Sequence, residues 1–331
     1  MKLAIKKKIC VAMTAVTALS LCACNTEPAE STFDKTLPWH DPVELAPTGS
    51  YELLNYTVAV YDTKKGVAED KRVKIADGEM SFELKESTSY TSLATDFTVT
   101  YNDAASEVDR GKTDVIESFV EFTTNSLIAK SSEKTVTLAN REGKDNLSYK
   151  ITADYFDAHK ATFIFTAQDG AKEKTRSLPQ NTCRDNEMMF YIARAQSLKT
   201  SANNNFKMVN LFDTFNTGSF TQYTMAVMCD EAKRKIEIGD WVKDYGVEAV
   251  TDEKTGDTAY PITCFYTTIS INDENHGPPY VVHYAETPFK SGEKEHKKLP
   301  VRISYSEYAG SSVARITEYT LASCSFDKPA A

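Results

Sequence analysis

Alternation of apolar and polar residues with a period of two runs through most of this chain after residue 50, and it constrains the fold more than any other feature. It predicts about a dozen short strands, the longest at 262–271. Two hairpins are expected, one turning at Asp77-Gly78 and one at 157–160. No helix-length amphipathic segment separates the strands before residue 185, so the pattern there favours antiparallel pairing and excludes parallel βαβ units.

The one helical stretch of the body lies at about 185–198, near the middle of the chain. Asp185 can cap its first turn, and Arg194 near its far end suits the helix dipole. Four apolar residues recur at helical spacing and share one face: Met188, Tyr191, Ile192 and Ala195. Others occupy further faces: Met189, Phe190, Ala193 and Leu198. A helix that is apolar on several sides needs cover, so we expect one mainly β domain at 51–326, with a curved antiparallel sheet or open half-barrel cupping the helix.

The N-terminus has the features of an export signal. Lysines at positions 2, 6, 7 and 8 precede an uncharged run from 9 to 21. That run is too short for a membrane span, which takes about 20 residues, and it suits the apolar core of a signal peptide. We assign 1–23 to the signal peptide, and the polar, proline-containing segment 24–50 to a flexible tether. Residues 327–331 are expected to be a frayed tail.

The sequence Leu21-Cys22-Ala23-Cys24 resembles the lipobox of bacterial lipoproteins. In that family the final cysteine receives a diacylglyceryl group and becomes the new N-terminus after cleavage. The resemblance implies that Cys24 carries the lipid, with Leu21, Cys22 and Ala23 as the rest of the motif. Two acyl chains suffice for stable anchoring. We therefore expect an extracytoplasmic protein that is attached to a bacterial membrane through the lipid on Cys24.

The body resembles the half-barrel envelope proteins of the lipoprotein-localisation-factor type. The resemblance lies in strand order and in a central segment with Asp185, Tyr191 and Arg194. In such proteins a highly curved sheet encloses a helix and an apolar hollow. It implies a hollow near Met188, Tyr191 and Ile192, which become candidate binding residues.

Composition limits the partners and cofactors. The net charge of −9 becomes −13 once the four lysines of the signal peptide are removed. Such an acidic body is repelled by phosphate backbones, so no nucleic-acid partner is expected. No cofactor or metal motif is present. The histidines and acids near the C-terminus are expected to be solvated side chains: His276, His283, Glu286, Glu293, Glu295 and His296.

Four cysteines of the body leave disulfide formation open: Cys183, Cys229, Cys264 and Cys324. An exported protein can form bridges, and four cysteines allow three pairings. Cys229 with Cys264 is the possible pair, because both lie in consecutive strand regions. Buried free thiols are the alternative.

The leading hypothesis for function is a non-enzymatic envelope protein that binds an apolar ligand or an envelope partner. One alternative is a cell-wall acyl-transfer enzyme, since three short patterns resemble those of penicillin-recognising serine enzymes: Ser131 to Lys134, Ser201 to Asn203 and Lys254 to Gly256. In that family, the serine of the first pattern is the nucleophile and the lysine assists it. The third possibility is a structural or adhesion module.

Overall fold

The computed structural model describes residues 49–63, 67–124, 127–139, 147–157, 160–177, 184–196, 198, 204–209, 222–271, 279–309 and 312–328. Within these ranges the strands are β1 Tyr51–Asp62, β2 Val73–Glu86, β3 Tyr90–Tyr101, β4 Thr113–Thr123, β5 Ala129–Leu138, β6 Leu147–Asp157, β7 Lys160–Ala167, β8 Gly170–Ser177, β9 Arg184–Asp185, β10 Asn204–Val209, β11 Gln222–Cys229, β12 Arg234–Ile236, β13 Val250–Thr251, β14 Thr258–Ala259, β15 Ile262–Ile271, β16 Tyr280–Ala285, β17 Phe289–Ser291, β18 Lys294–His296, β19 Pro300–Ala309 and β20 Ser312–Ser325. One α-helix, α1 Met189–Arg194, is accompanied by 3-10 helices at Glu69–Lys71, Asn186–Met188 and Asp240–Tyr245.

Sixteen of these strands form a single sheet. Its order is β8-β7-β6-β5-β4-β3-β2-β1-β20-β19-β16-β15-β11-β10-β9, with β12 also paired to β15. All pairs in the sheet are antiparallel except β9 with β10. The predicted fold class, a mainly β protein built on one antiparallel sheet, is confirmed. The described strands do not close into a complete barrel, because β8 and β9 end the order without pairing to each other.

One pair of the sheet is parallel, and it flanks the central helix, beyond the strands for which the sequence excludes parallel units. β9, α1 and β10 form a parallel crossover in which Arg184 pairs with Met208 and Asp185 with Val209. A two-residue strand is too short to show alternation, so no sequence pattern predicts this pairing.

Period-two alternation accounts for the core. On β3, Leu93, Phe97 and Val99 are buried, while Asp96 and Thr98 between them are exposed. The same pattern repeats from β1 to β5, so that one face of the sheet is apolar and the other polar. β15 spans Ile262–Ile271, the bounds that the sequence predicts. The hairpin at 157–160 is also confirmed, since β6 pairs with β7 around it.

The hairpin predicted at Asp77-Gly78 is wrong. Both residues lie inside the continuous strand β2, and the true turn follows Glu86. There Ser87 closes the turn, its backbone N–H donating to the carbonyl of Tyr90 at 2.9 Å. Gly78 has another reason to be glycine: a Cβ at this position would lie 2.1 Å from the carbonyl oxygen of Thr98 on β3. A glycine in a strand interior here indicates close backbone approach instead of a turn.

The central helix is shorter than predicted. The stretch expected at 185–198 begins as strand β9, passes through a 3-10 turn, and is α-helical only over Met189–Arg194. Asp185 caps this segment as expected, accepting from the backbone N–H of Glu187 at 2.9 Å. Side chains terminate the helix: Gln196 donates to the carbonyl of Ile192, and Lys298 donates to the carbonyl of Gln196.

The segment from Arg184 to Gln196, which we name the central segment, lies in the hollow of the curved sheet. Every residue of α1 is buried. The ring of Phe190 lies 5.8 Å from Phe82 on β2 and 5.5 Å from Tyr280 on β16, so one side chain contacts strands from both halves of the chain. Tyr191 packs against Phe122 on β4, with 5.1 Å between ring centroids. Within the described ranges, none of the helices has the length and apolar character needed to cross a bilayer.

Candidate functional site

The far end of the central segment is joined to β1 by a buried ion pair. Arg194 donates from Nη1 and Nη2 to the two carboxylate oxygens of Glu52, at 2.5 and 2.9 Å. Its Nε donates to the carbonyl of Lys297 at 2.9 Å. His296 Nδ1 lies 2.8 Å from Glu52 Oε1, and its ring stacks on Phe326. Burial alone would raise the pKa of Glu52, but Arg194, with His296, lowers it to about 2.

The near end of the central segment is joined to β5 and β6 by a second buried polar cluster. Asp185 accepts at Oδ2 from the hydroxyls of Ser132 and Tyr155, each at 2.6 Å. Lys134 pairs with Glu187 at 3.0 Å. Burial, together with the negative charge of Glu187, raises the pKa of Asp185 to about 6. The two clusters hold both ends of the central segment against the inner face of the sheet.

A cavity of about 30 Å³ lies between α1 and the inner face of β1 to β3. Its walls are largely apolar, and its charged lining consists of the Glu52–Arg194 pair. The lining residues are Glu52, Leu54, Phe82, Leu84, Leu93, Phe190, Tyr191, Arg194 and Pro300. A volume of this size has room for about two water molecules. The cavity therefore accommodates a small group without any movement of the protein.

Two buried polar atoms beside this cavity have no hydrogen-bond partner among the described residues: the hydroxyl of Tyr191 and Oε2 of Glu86. Tyr191 is 4% exposed and Glu86 is 7% exposed. Glu86 is the next inward side chain of β2 after Phe82 and Leu84, which both line the cavity. Burial and the negative charge of Glu52 raise the pKa of Glu86 to about 7. Several other buried polar atoms of the described residues also have no protein partner. Such atoms are commonly satisfied by ordered water, and beside a cavity a ligand group can take the place of the water.

The three candidate binding residues do not act as one site. Tyr191 lines the cavity, whereas Met188 and Ile192 are completely buried and are not part of its wall. Helical spacing placed all three on one face. Because every face of α1 is covered by other parts of the protein, a shared face does not show which residues line the cavity. The lipobox residues Leu21, Cys22, Ala23 and Cys24, and also Ser201 to Asn203, Cys183 and His276, lie outside the described residues.

The possible disulfide between Cys229 and Cys264 is not formed; both are free thiols, as is Cys324. Cys229 on β11 lies opposite Thr267 of β15, three residues along that strand from Cys264. Three residues of strand span about 10 Å and place the side chains on opposite faces. A disulfide needs Cα atoms within about 7 Å, so the alternative of free thiols describes these two cysteines.

The residues of the acyl-transfer alternative do not converge. Ser131 and Lys134 lie on strand β5, where Lys134 points inward to Glu187 and Ser131 lies on the opposite, half-buried face. The nucleophile and the assisting lysine of that reaction must be within hydrogen-bond reach of each other. Lys254 to Gly256 lies in the exposed turn between β13 and β14.

His296 was expected to be solvated, and this is wrong: it is completely buried. Sequence analysis also did not find Glu52 and Ser132 of the two polar clusters, or Glu86 beside the cavity. Glu52 and Glu86 had one available signal, because each occupies the inward position of an otherwise apolar alternation. Among the described residues no group of three potential metal ligands is present.

Comparison with known proteins gives little further information. No protein-family model and no curated protein matches this chain. Among solved structures, it is similar to a beta-barrel-like protein of the domain of unknown function DUF1849 from Brucella abortus. The identity is 13% over 85% of this chain and 99% of that chain, with a TM-score of 0.49.

Proposed function

We propose that this protein is a lipid-anchored, extracytoplasmic binding protein that receives the apolar part of a ligand between α1 and strands β1 to β3. The observation that carries the proposal is the apolar cavity beside Phe190 and Tyr191, next to two polar atoms that have no partner among the described residues. Ligand sites are typically concave and apolar with a few polar groups that orient the ligand.

The cavity sets the size of what binds. Its 30 Å³ takes the end of an apolar group as it stands. A longer chain enters only if lining side chains move, because the cavity has room for about two water molecules. A role in binding instead of catalysis is supported by the placement of Ser131 and Lys134 on opposite faces of β5.

Native mass spectrometry of the purified protein tests ligand binding. We expect the wild-type protein to retain or take up an apolar molecule, and Leu93→Trp, which fills the cavity, to lose it. Thr98→Trp is the matched control, since Thr98 lies on the same strand but faces solvent. Urea unfolding shows whether each variant is folded. A wild-type protein that stays empty when offered lipids, or equal uptake by both variants, would contradict the proposal.

The anchor is supported by the signal peptide and by Leu21-Cys22-Ala23-Cys24. We expect Cys24→Ala to release the protein from the membrane fraction, and Cys22→Ala, the control two residues away, to leave attachment intact. Release by both variants, or by neither, would show that Cys24 is not the lipidated residue.

A further inference from the structure

The charges around the cavity restrict the chemistry of the ligand, given the binding function proposed above. Among the described residues that line the cavity, Arg194 is the one cation, and its charge is balanced by the two-point contact with Glu52. The positive charge that would attract an anionic head group is therefore already neutralised within the fold.

Glu86 supplies a carboxyl group that forms no ion pair in the described structure; the cation that acts on it, Arg194, is already bound to Glu52 and lowers the pKa of Glu86 less than burial raises it. Oε2 of Glu86 has no hydrogen-bond partner among the described residues. Its position follows from the strand register: Glu52 of β1 pairs with Leu84 of β2, and Glu86 is the next inward residue. The negative charge of Glu52 already repels that of Glu86. An anion entering the cavity would thus add a further repulsion between like charges.

Tyr191 provides the second free group. Its side chain lines the cavity, and its hydroxyl is buried without a partner among the described residues. A phenol both donates and accepts, whereas a carboxylate accepts only. A group that binds Glu86 as a carboxylate must therefore donate a hydrogen bond, and such a donor favours this ionised form although burial raises the pKa of Glu86.

We propose that the ligand of this cavity is a neutral or cationic amphiphile whose hydrogen-bond-donating end, an amine or a hydroxyl group, contacts Glu86 and Tyr191 while its apolar part lies against Leu54, Leu84 and Leu93. Fatty acids and other amphiphiles with anionic ends are rejected. Selectivity of this kind arises because the site repels the wrong charge as well as attracting the right one.

Titration calorimetry with hexylamine, hexanol and hexanoate tests this assignment, because the three probes share one apolar part and differ only at the end group. We expect hexylamine to bind most tightly and hexanoate at least about tenfold more weakly, the usual difference for a charge-assisted hydrogen bond. Glu86→Gln should abolish the advantage of hexylamine over hexanol. Tyr191→Phe should weaken both by about the effect of one neutral hydrogen bond, or severalfold.

Glu79→Gln is the matched control, since Glu79 lies on the same strand with its side chain exposed on the outer face. Equal binding of all three probes, or an unchanged preference in Glu86→Gln, would overturn the inference and leave the binding function standing. Preference for hexanoate would do the same. Failure of every probe to bind, in protein that unfolds cooperatively, would overturn the binding function itself.

Discussion

The buried pair Glu52–Arg194 allows a quantitative test of how the central segment is held. The two side chains are 1% and 4% exposed, and removing one of them leaves the other charged and without its counterion in the core. Breaking such a pair typically costs about 3–5 kcal/mol. We therefore expect Glu52→Gln and Arg194→Met each to lower the free energy of unfolding by about that amount.

The double variant Glu52→Gln/Arg194→Met measures the interaction between the two charges apart from the contacts that each side chain makes with other residues. It removes both charges, keeps the aliphatic stem of Arg194 as methionine, and retains an amide that can still bond to His296. We expect its cost to be close to that of one single variant, which corresponds to a coupling energy of about 3–5 kcal/mol.

Urea unfolding followed by circular dichroism measures these costs, with equal m-values as the check on two-state behaviour. The exposed pair Lys74–Asp77 is the matched control, because its side chains are 47% and 60% exposed. Its coupling energy should stay below about 1 kcal/mol. Strictly additive costs at Glu52 and Arg194 would refute the reasoning, since they would show that neither charge depends on the other.

Three further predictions concern single positions. Burial raises the pKa of Asp185 from 3.8 to about 6, so the folded state gains a proton before the unfolded state does. The contribution of Asp185 to the free energy of unfolding should therefore rise by about 2 kcal/mol as the pH falls from 7 to 4. Asp185→Asn should lose this contribution, whereas parallel pH curves for variant and wild type would contradict it. Gly78→Ala should destabilise by about 1–3 kcal/mol in thermal or urea unfolding, because its Cβ meets the carbonyl of Thr98, and an unchanged midpoint would disprove the close approach. Iodoacetamide should alkylate the half-exposed thiol of Cys229 in the folded protein and the buried thiol of Cys264 only after unfolding, as read by peptide mapping. A disulfide between these two cysteines in the peptide map would refute the free-thiol assignment.

The fold class could be predicted from sequence because alternation is a local signal. β15 and the β6–β7 hairpin appear where the pattern places them. Gly78 shows where a local signal fails, since the same Asp-Gly pair that favours a turn serves here as a point of close strand approach. The α-helix was overestimated because its ends are set by side chains distant in sequence, such as Lys298.

The candidate site was harder to predict because its polar residues come from distant parts of the chain. Glu52 and Arg194 are 142 residues apart, and Glu52 and His296 are 244 apart. A carboxyl at an inward strand position signals that a partner is needed, but not which one. Sequence spacing brought attention to Ser131, whereas the strand geometry turns its neighbour Ser132 inward to Asp185.

The most direct test of the proposed function is a crystal structure of the purified protein grown with hexylamine. The account predicts a chain of density in the cavity between α1 and strands β1 to β3, with its apolar part against Leu84 and Leu93 and its nitrogen within hydrogen-bond distance of Glu86 or Tyr191. A cavity that contains only water, or a ligand bound on the outer face of the sheet, would contradict it.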